Sequence, residues 1–143
     1  MVWQVQPVRV RWPGWFLLIC PPLSCQTARV YSCWQPNREN TARAVDPFPP
    51  DRQVRAKELA ERLFNDLEEP AFRAYPQLGQ WHRDLQEVCP VRLRLTGSGS
   101  TFYCPQDNRQ AAGQLADTVH ARFGFATFVT QLMTDDNPQG AAS

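Results

Sequence analysis

The chain has 143 residues and predicts one α+β domain with a ferredoxin-like antiparallel sheet. The uninterrupted apolar run 15–20 is typical of a buried strand. A segment of alternating apolar and basic residues is followed by a turn of glycine and serine and then by a second apolar segment. This order indicates a hairpin over about 91–104. Between these two features, and after them, apolar residues recur at helical spacing. We therefore expect helices on one face of the sheet, with extra helices inserted after the first strand and helix.

The frequent prolines in the first third of the chain predict short elements joined by rigid turns. Residues 1–14 contain a short strand fragment in which Val8 and Val10 alternate with arginines. The run 15–20 lies between Gly14 and Pro21 and should be a central strand with both faces covered. Ser24 is a suitable N-cap for a helix reaching about residue 34. The inner face of that helix would carry Thr27, Val30, Tyr31 and Trp34.

The middle of the chain predicts two further helices after a polar, proline-rich connection at 35–50. Asp51 is a suitable cap for the second helix. Glu68 and Glu69 then indicate a solvated turn, and Pro76 fits the first turn of a third helix. The apolar stripe of the second helix would be Leu59, Leu63, Phe64 and Leu67, and that of the third Leu78, Trp81, His82 and Leu85. On that face, His82 is expected to be a hydrogen-bonded histidine at the edge of the core.

The last third predicts strand, strand, helix and strand. In the hairpin, Val91, Leu93 and Leu95 should point to one side. Pro105 cannot donate to a sheet, so its strand should stop early or lie at an edge. Asp107 would cap a fourth helix that buries Ala111, Leu115 and Val119 and ends before Gly124. The final strand would be 125–132.

Composition excludes several classes of function. The net charge of +1 gives no strong attraction to nucleic acid or to a membrane surface. Six apolar residues before Pro21 are too few for a signal peptide or a membrane span, so a cytoplasmic location is expected. The five cysteines form no Cys-x-x-Cys pair and the two histidines are far apart, so free thiols are expected rather than a metal site. Cys25, without a nearby base, is not expected to be a nucleophile.

Five segments together carry a family resemblance. They are the apolar run 15–21, the segment 24–31, the Asn-Asp-Leu-Glu segment within 64–72, the segment 75–78 and the Gly-Ser-Gly-Ser-Thr turn at 97–101. In this order they resemble, over about residues 8 to 132, the C-terminal half of the 4-diphosphocytidyl-2-C-methyl-D-erythritol kinase family. That family belongs to the GHMP kinase superfamily and serves non-mevalonate isoprenoid synthesis. The resemblance implies a domain over 1–133, and residues 134–143 should form a disordered tail.

The resemblance also implies a site. The matching turn, with Gly97, Ser98, Gly99, Ser100 and Thr101, lies in the family beside the loop that binds the ATP phosphates. Asn65 and Asp66 would then place polar groups near this turn and the ligand pocket. The alternative is structural: a tight β-turn, with Asn65 and Asp66 ending the second helix through bonds to the backbone.

The family's catalytic lysine and aspartate lie in an N-terminal domain that has no counterpart here. The resemblance therefore implies ATP and Mg²⁺, but no catalytic residue, no metal ligand and no tight cofactor binding by this chain alone. A separately encoded N-terminal domain is the implied partner, with a homodimer as another. A truncated gene product, a shifted start and a split enzyme all remain open. The alternative functions are a non-catalytic α+β module that pairs with itself or another protein, and a galactokinase- or mevalonate-kinase-type relative.

Overall fold

The computed structural model describes residues 10–34 and 48–132. The predicted strand fragment before Val10, most of the proline-rich connection and the predicted tail at 134–143 lie outside these ranges. In chain order, the elements are β1 Trp15–Cys20, α1 Thr27–Ser32, α2 Ala56–Arg62, α3 Glu68–Ala74, α4 Pro76–Gln86, β2 Arg94–Leu95, β3 Phe102–Gln106, α5 Arg109–Phe123 and β4 Ala126–Thr130.

The four strands form one antiparallel sheet in the order β2-β3-β1-β4. This is the ferredoxin-like arrangement, because β1 and β3 lie in the centre and the hairpin strand β2 lies at an edge. Strand β1 is central, as its unbroken apolar run predicts. The predicted α+β class with an antiparallel sheet is confirmed.

The main core lies on one face of the sheet. Leu17 pairs across to Cys104 and Val129, and Ile19 pairs to Phe102. Residues directly opposite each other in antiparallel strands share a face, and this set is buried together. Helices α1, α3, α4 and α5 contribute the rest of this core, with Val30, Ala71, Ala74, Leu78, Leu85, Ala112, Leu115 and Val119. These helices all cover one face, as expected.

The second face of the sheet is only partly covered. Phe16 points away from the main core and packs with Trp12, Val54 and Leu59 in a second, smaller cluster. Helix α2 supplies Leu59, so this inserted helix packs on the face opposite the other four. The expectation that the helices lie on one face is therefore wrong for α2, because its apolar side meets Phe16 and not the main core.

Two predicted helix caps were wrong. Helix α1 begins at Thr27 after Gln26, so Ser24 is not its cap, and Tyr31 and Trp34 are exposed rather than inward. Helix α2 begins at Ala56, five residues after Asp51. A carboxylate distant in sequence caps it instead, because Ala56 N–H donates to Asp107 Oδ1 over 2.8 Å.

Asp107 was also assigned to the wrong helix. The cap of α5 is the next residue, Asn108, whose Oδ1 accepts from Ala111 N–H at 2.8 Å. Gly124 ends α5 with φ 72°, as predicted. Ala112, Leu115 and Val119 are buried on this helix, whereas Ala111 is only half-buried.

The sequence pattern did not predict helix α3, and the prediction that Glu68 lies in a solvated turn was wrong. The stretch from Glu68 to Ala74 forms a helix with both glutamates in its first turn. Glu69 is exposed as expected, but Glu68 is largely buried. Pro70 is compatible with this helix, because a proline within the first helical turn costs no hydrogen bond.

Pro105 lies within a strand that continues to Gln106, so the strand does not stop early. The proline is tolerated because β2 pairs only with Phe102 and Tyr103. At Pro105, strand β3 has a neighbour on one side only, β1, and is locally an edge. None of the helices in the described ranges is long and apolar enough to cross a membrane.

Candidate functional site

The turn between β2 and β3 is tight. Thr96 N–H donates to Thr101 O at 2.8 Å, and Gly99 N–H donates to Thr96 O at 3.0 Å. Gly97 has φ 51° and Gly99 has φ 96°, a region that residues with a Cβ rarely adopt. Both glycines are therefore required by the backbone of the turn itself.

The hydroxyl groups of the turn contact the segment that follows β1. These contacts fix the turn against residues 20–27, far away in sequence. They are Ser98 Oγ to Thr27 Oγ1 at 3.2 Å, Ser100 Oγ to Leu23 O at 2.5 Å and to Pro21 O at 3.4 Å, and Thr101 Oγ1 to Cys20 Sγ at 3.6 Å. The hydroxyls of Ser100 and Thr101 therefore hold the turn in place through these hydrogen bonds.

The turn has a crowded side and an open side. A Cβ on Gly99 would lie 3.2 Å from Cys25 Sγ, 3.2 Å from Leu78 Cδ2 and 3.4 Å from Leu95 Cδ1. A Cβ on Gly97 would meet nothing within 4 Å, and Gly97 is exposed. A ligand could therefore approach the backbone at Gly97, but the protein fills the space beside Gly99.

Asn65 joins the turn to the helices. Its Nδ2 donates to Leu95 O at 2.9 Å and to Gly97 O at 2.7 Å. Its Oδ1 accepts from Leu67 N–H at 3.1 Å, just before α3 begins. Asn65 therefore lies at the glycine turn and bonds to the backbone just before α3, but it does not end the second helix, which stops at Arg62.

Asp66 behaves differently from its neighbour. Its Oδ1 is buried and has no hydrogen-bond partner within the described ranges. A buried oxygen without a donor is unfavourable by about 1–3 kcal/mol. No hydrogen bond within those ranges links Asp66 to the turn, so the structure brings Asn65 but not Asp66 into direct contact with it.

A cluster of polar side chains that the sequence did not reveal supports the same hairpin. Glu68 Oε1 lies 3.4 Å from His82 Nε2, and Glu68 Oε2 lies 3.6 Å from Arg94 Nη1. His82 Nε2 is also 2.9 Å from Leu93 O and donates to it, which confirms the expected hydrogen-bonded histidine. These contacts attach α3 and α4 to the strand that enters the turn. The partners come from three separate elements, so no local sequence pattern predicts these contacts.

Burial raises the pKa of three groups around the hairpin and its turn. It raises the pKa of Glu68 above its ordinary value, although the charges of His82, Arg94 and Arg92 act in the opposite direction. Burial also raises the pKa of Tyr103, which lies opposite Arg94 in the sheet. The pKa of the Cys25 thiol beside Gly99 is raised by burial as well. Cys25 therefore stays a neutral thiol at pH 7, which agrees with its expected lack of nucleophilic character.

The open side of the turn at Gly97 offers backbone groups to a ligand, whereas the hydroxyls of Ser98, Ser100 and Thr101 bond within the protein. No group of three or more His, Cys, Asp or Glu side chains that could hold a metal ion is found in the described ranges. Neither 97–101 nor 20–27 contains a lysine or an arginine. Any phosphate held here needs its cations from elsewhere.

No protein-family model matches the chain. Curated relatives of similar sequence are named 4-diphosphocytidyl-2-C-methyl-D-erythritol kinase. The relative from Syntrophotalea carbinolica is 27% identical over 123 residues, which is 86% of this chain and 42% of that protein. The one from Geobacter sulfurreducens is 29% identical over 116 residues, 81% of this chain and 40% of the relative. The chain thus spans about two fifths of the length of these relatives.

A solved structure has the same fold. The crystal structure of a 4-(cytidine 5'-diphospho)-2C-methyl-D-erythritol kinase matches with a TM-score of 0.59 at 24% identity. The match covers 84% of this chain and 43% of the crystallised chain. The solved structure shows the shared fold, and by sequence the chain is a homologue of the 4-diphosphocytidyl-2-C-methyl-D-erythritol kinases that fits their C-terminal portion.

Proposed function

We propose that this chain acts as the C-terminal domain of a kinase that transfers phosphate from ATP, with Mg²⁺, to the 2-hydroxyl of 4-diphosphocytidyl-2-C-methyl-D-erythritol. The observation that carries the proposal is the similarity of 86% of the chain to part of such kinases. In this function the chain contributes one wall of the substrate cleft. The cations and the groups that act on the reacting hydroxyl come from an N-terminal domain.

The glycine turn is the part of the chain that would reach the cleft. Its open side at Gly97 gives a ligand access to backbone N–H groups, and successive N–H groups in such turns can bind anions. Asn65 and the hydroxyl contacts keep the turn in one shape, so its donors need no reordering when the ligand arrives. The role is to position and enclose substrate, because Asn65 and the residues of the turn offer only amide, hydroxyl and backbone groups.

A chimera tests the proposal. The C-terminal portion of the Geobacter sulfurreducens kinase would be replaced by residues 10–132 of this chain, and ADP release would be measured with the named substrate. We expect turnover from the folded chimera and none from this chain alone. Asn65→Ala in the chimera should lower kcat/KM, whereas Gln114→Ala on the exposed side of α5 should not.

Two results would contradict the proposal. One is a folded chimera that binds ATP but does not turn over. The other is ATP turnover by the isolated chain, since that would require reactive groups that the proposal assigns to another domain.

A further inference from the structure

Strand β4 forms an edge of the sheet whose outer side has no partner strand within the described ranges. Its neighbour on the inner side is β1, and the N–H and C=O groups on its outer side face away from the sheet. Edge strands are usually protected by charges, proline or a bulge. Ala126–Thr130, with the sequence Ala-Thr-Phe-Val-Thr, contains neither a charged residue nor a proline.

The side chains of β4 add an apolar strip next to this edge. Phe128 is 54% exposed at the middle of the strand, and Leu132 is 47% exposed just beyond it. Phe128 lies opposite Leu18 on the second face of the sheet. Helix α2 covers that face near Phe16 and Tyr103 but does not reach Phe128.

We propose that β4 pairs with β4 of a second copy of this chain, in an antiparallel register centred on Phe128. A twofold axis at Phe128 pairs Ala126 with Thr130 of the second copy and Thr127 with Val129 of the second copy. Aromatic and β-branched residues directly opposite each other stabilise antiparallel pairs. The two sheets become one sheet of twice the width, with both Phe128 rings beside each other on the second face.

Charge favours a second copy as the occupant. A twofold axis places identical residues close together, so a charged edge would repel itself. The strand is uncharged, the nearest described charge before it is Arg122, and the whole chain has a net charge of only +1. Uncharged residues therefore meet uncharged residues across the twofold axis, and the backbone groups of the edge pair with their own copies without charge repulsion.

Analytical ultracentrifugation of the full 143-residue chain tests the proposal. The contact is small, so we expect a reversible dimer whose dissociation constant lies between about 1 µM and about 1 mM. Phe128→Lys should give a monomer over the whole range, because two lysines would face each other across the axis. Tyr31→Lys is the matched control, since Tyr31 is 56% exposed but lies on α1, and it should leave the dimer unchanged.

The register has its own test. Phe128→Lys and Phe128→Glu should each be monomeric alone and should form a heterodimer when mixed, because the opposite charges then meet at the axis. A monomeric wild-type chain, a dimer that Phe128→Lys leaves intact, or folded variants that do not pair when mixed would each overturn the proposal. The experiment measures no activity, so its outcome is independent of the proposed kinase function.

Discussion

Asn65 carries more of the candidate site than any other single residue, since its amide bonds two carbonyl groups of the hairpin and its oxygen bonds the start of α3. We expect Asn65→Ala to lower the free energy of unfolding by about 2–3 kcal/mol, because the part-buried Leu95 carbonyl and Leu67 N–H lose their partner and the exposed Gly97 carbonyl loses its donor. Denaturation in urea measures this. Gln114→Ala, on an exposed part of α5, should change it by no more than about 0.5 kcal/mol.

The aspartate variant separates the two roles of Asn65. Asn65→Asp keeps the acceptor for Leu67 N–H but places a carboxylate oxygen against the carbonyls of Leu95 and Gly97. It should therefore destabilise the protein at least as much as Asn65→Ala at pH 7. If Asn65→Asp were as stable as the wild type, the bonds to the hairpin would contribute little.

Glu68 gives a prediction about pH. Burial raises the pKa of this carboxyl above the ordinary 4.5. The folded state therefore holds the proton more tightly than the unfolded state. Its contribution to stability is fully present below pH 4.5 and is lost as pH rises through the pKa of the folded protein. His82, Arg94, Arg92 and Tyr103 are the titratable or charged groups that act on it or on its ion pair.

Glu68→Gln removes this titration. The free energy of unfolding of the wild type minus that of Glu68→Gln should therefore decrease as pH rises from about 4 to about 7. Urea denaturation at several pH values measures the difference. Glu69→Gln is the control for loss of a carboxylate from α3, because the Glu69 side chain is 87% exposed. A difference that increases with pH would contradict the assigned direction.

At the scale of elements, the hairpin turn depends on two glycines in different surroundings. Gly97→Ala imposes only a positive φ, since nothing lies near its Cβ position, and should cost about 1–2 kcal/mol. Gly99→Ala adds a close approach to Cys25 and Leu78, so its cost should be about 3 kcal/mol or more. Thermal unfolding of the two variants compares them, and equal costs would show that the crowded side of the turn can relax.

The first residues of α2 and α5 show that the cap of a helix can come from another element. Asp107 lies two residues before α5 in the sequence, where a local rule makes it a candidate cap of that helix. In the structure Asn108 takes that position, and Asp107 reaches the first N–H of α2, which is 51 residues away. The side chain of Asp107 thus links the start of the helix on the second face to the end of β3.

At the scale of the whole molecule, the main core and the smaller cluster are joined by the same strand. Leu17 and Phe16 are adjacent in β1 but belong to different clusters on opposite faces. Loss of β1 would therefore disrupt both clusters at once. We expect the isolated chain to unfold in one cooperative transition, with circular dichroism and tryptophan fluorescence giving the same midpoint in urea. Two separated midpoints would show that the clusters unfold independently.

Local sequence patterns suffice to predict the antiparallel α+β fold, the central strand 15–20, the glycine hairpin and the helices after Pro76 and before Gly124, because apolar periodicity and turn residues act over a few neighbouring positions. The packing of whole elements is needed to place α2 on the second face, to bring Asp107 to the start of α2, and to bring Glu68, His82 and Arg94 together beside the hairpin. Those contacts join residues 14 to 51 positions apart, and their geometry depends on how complete elements pack together.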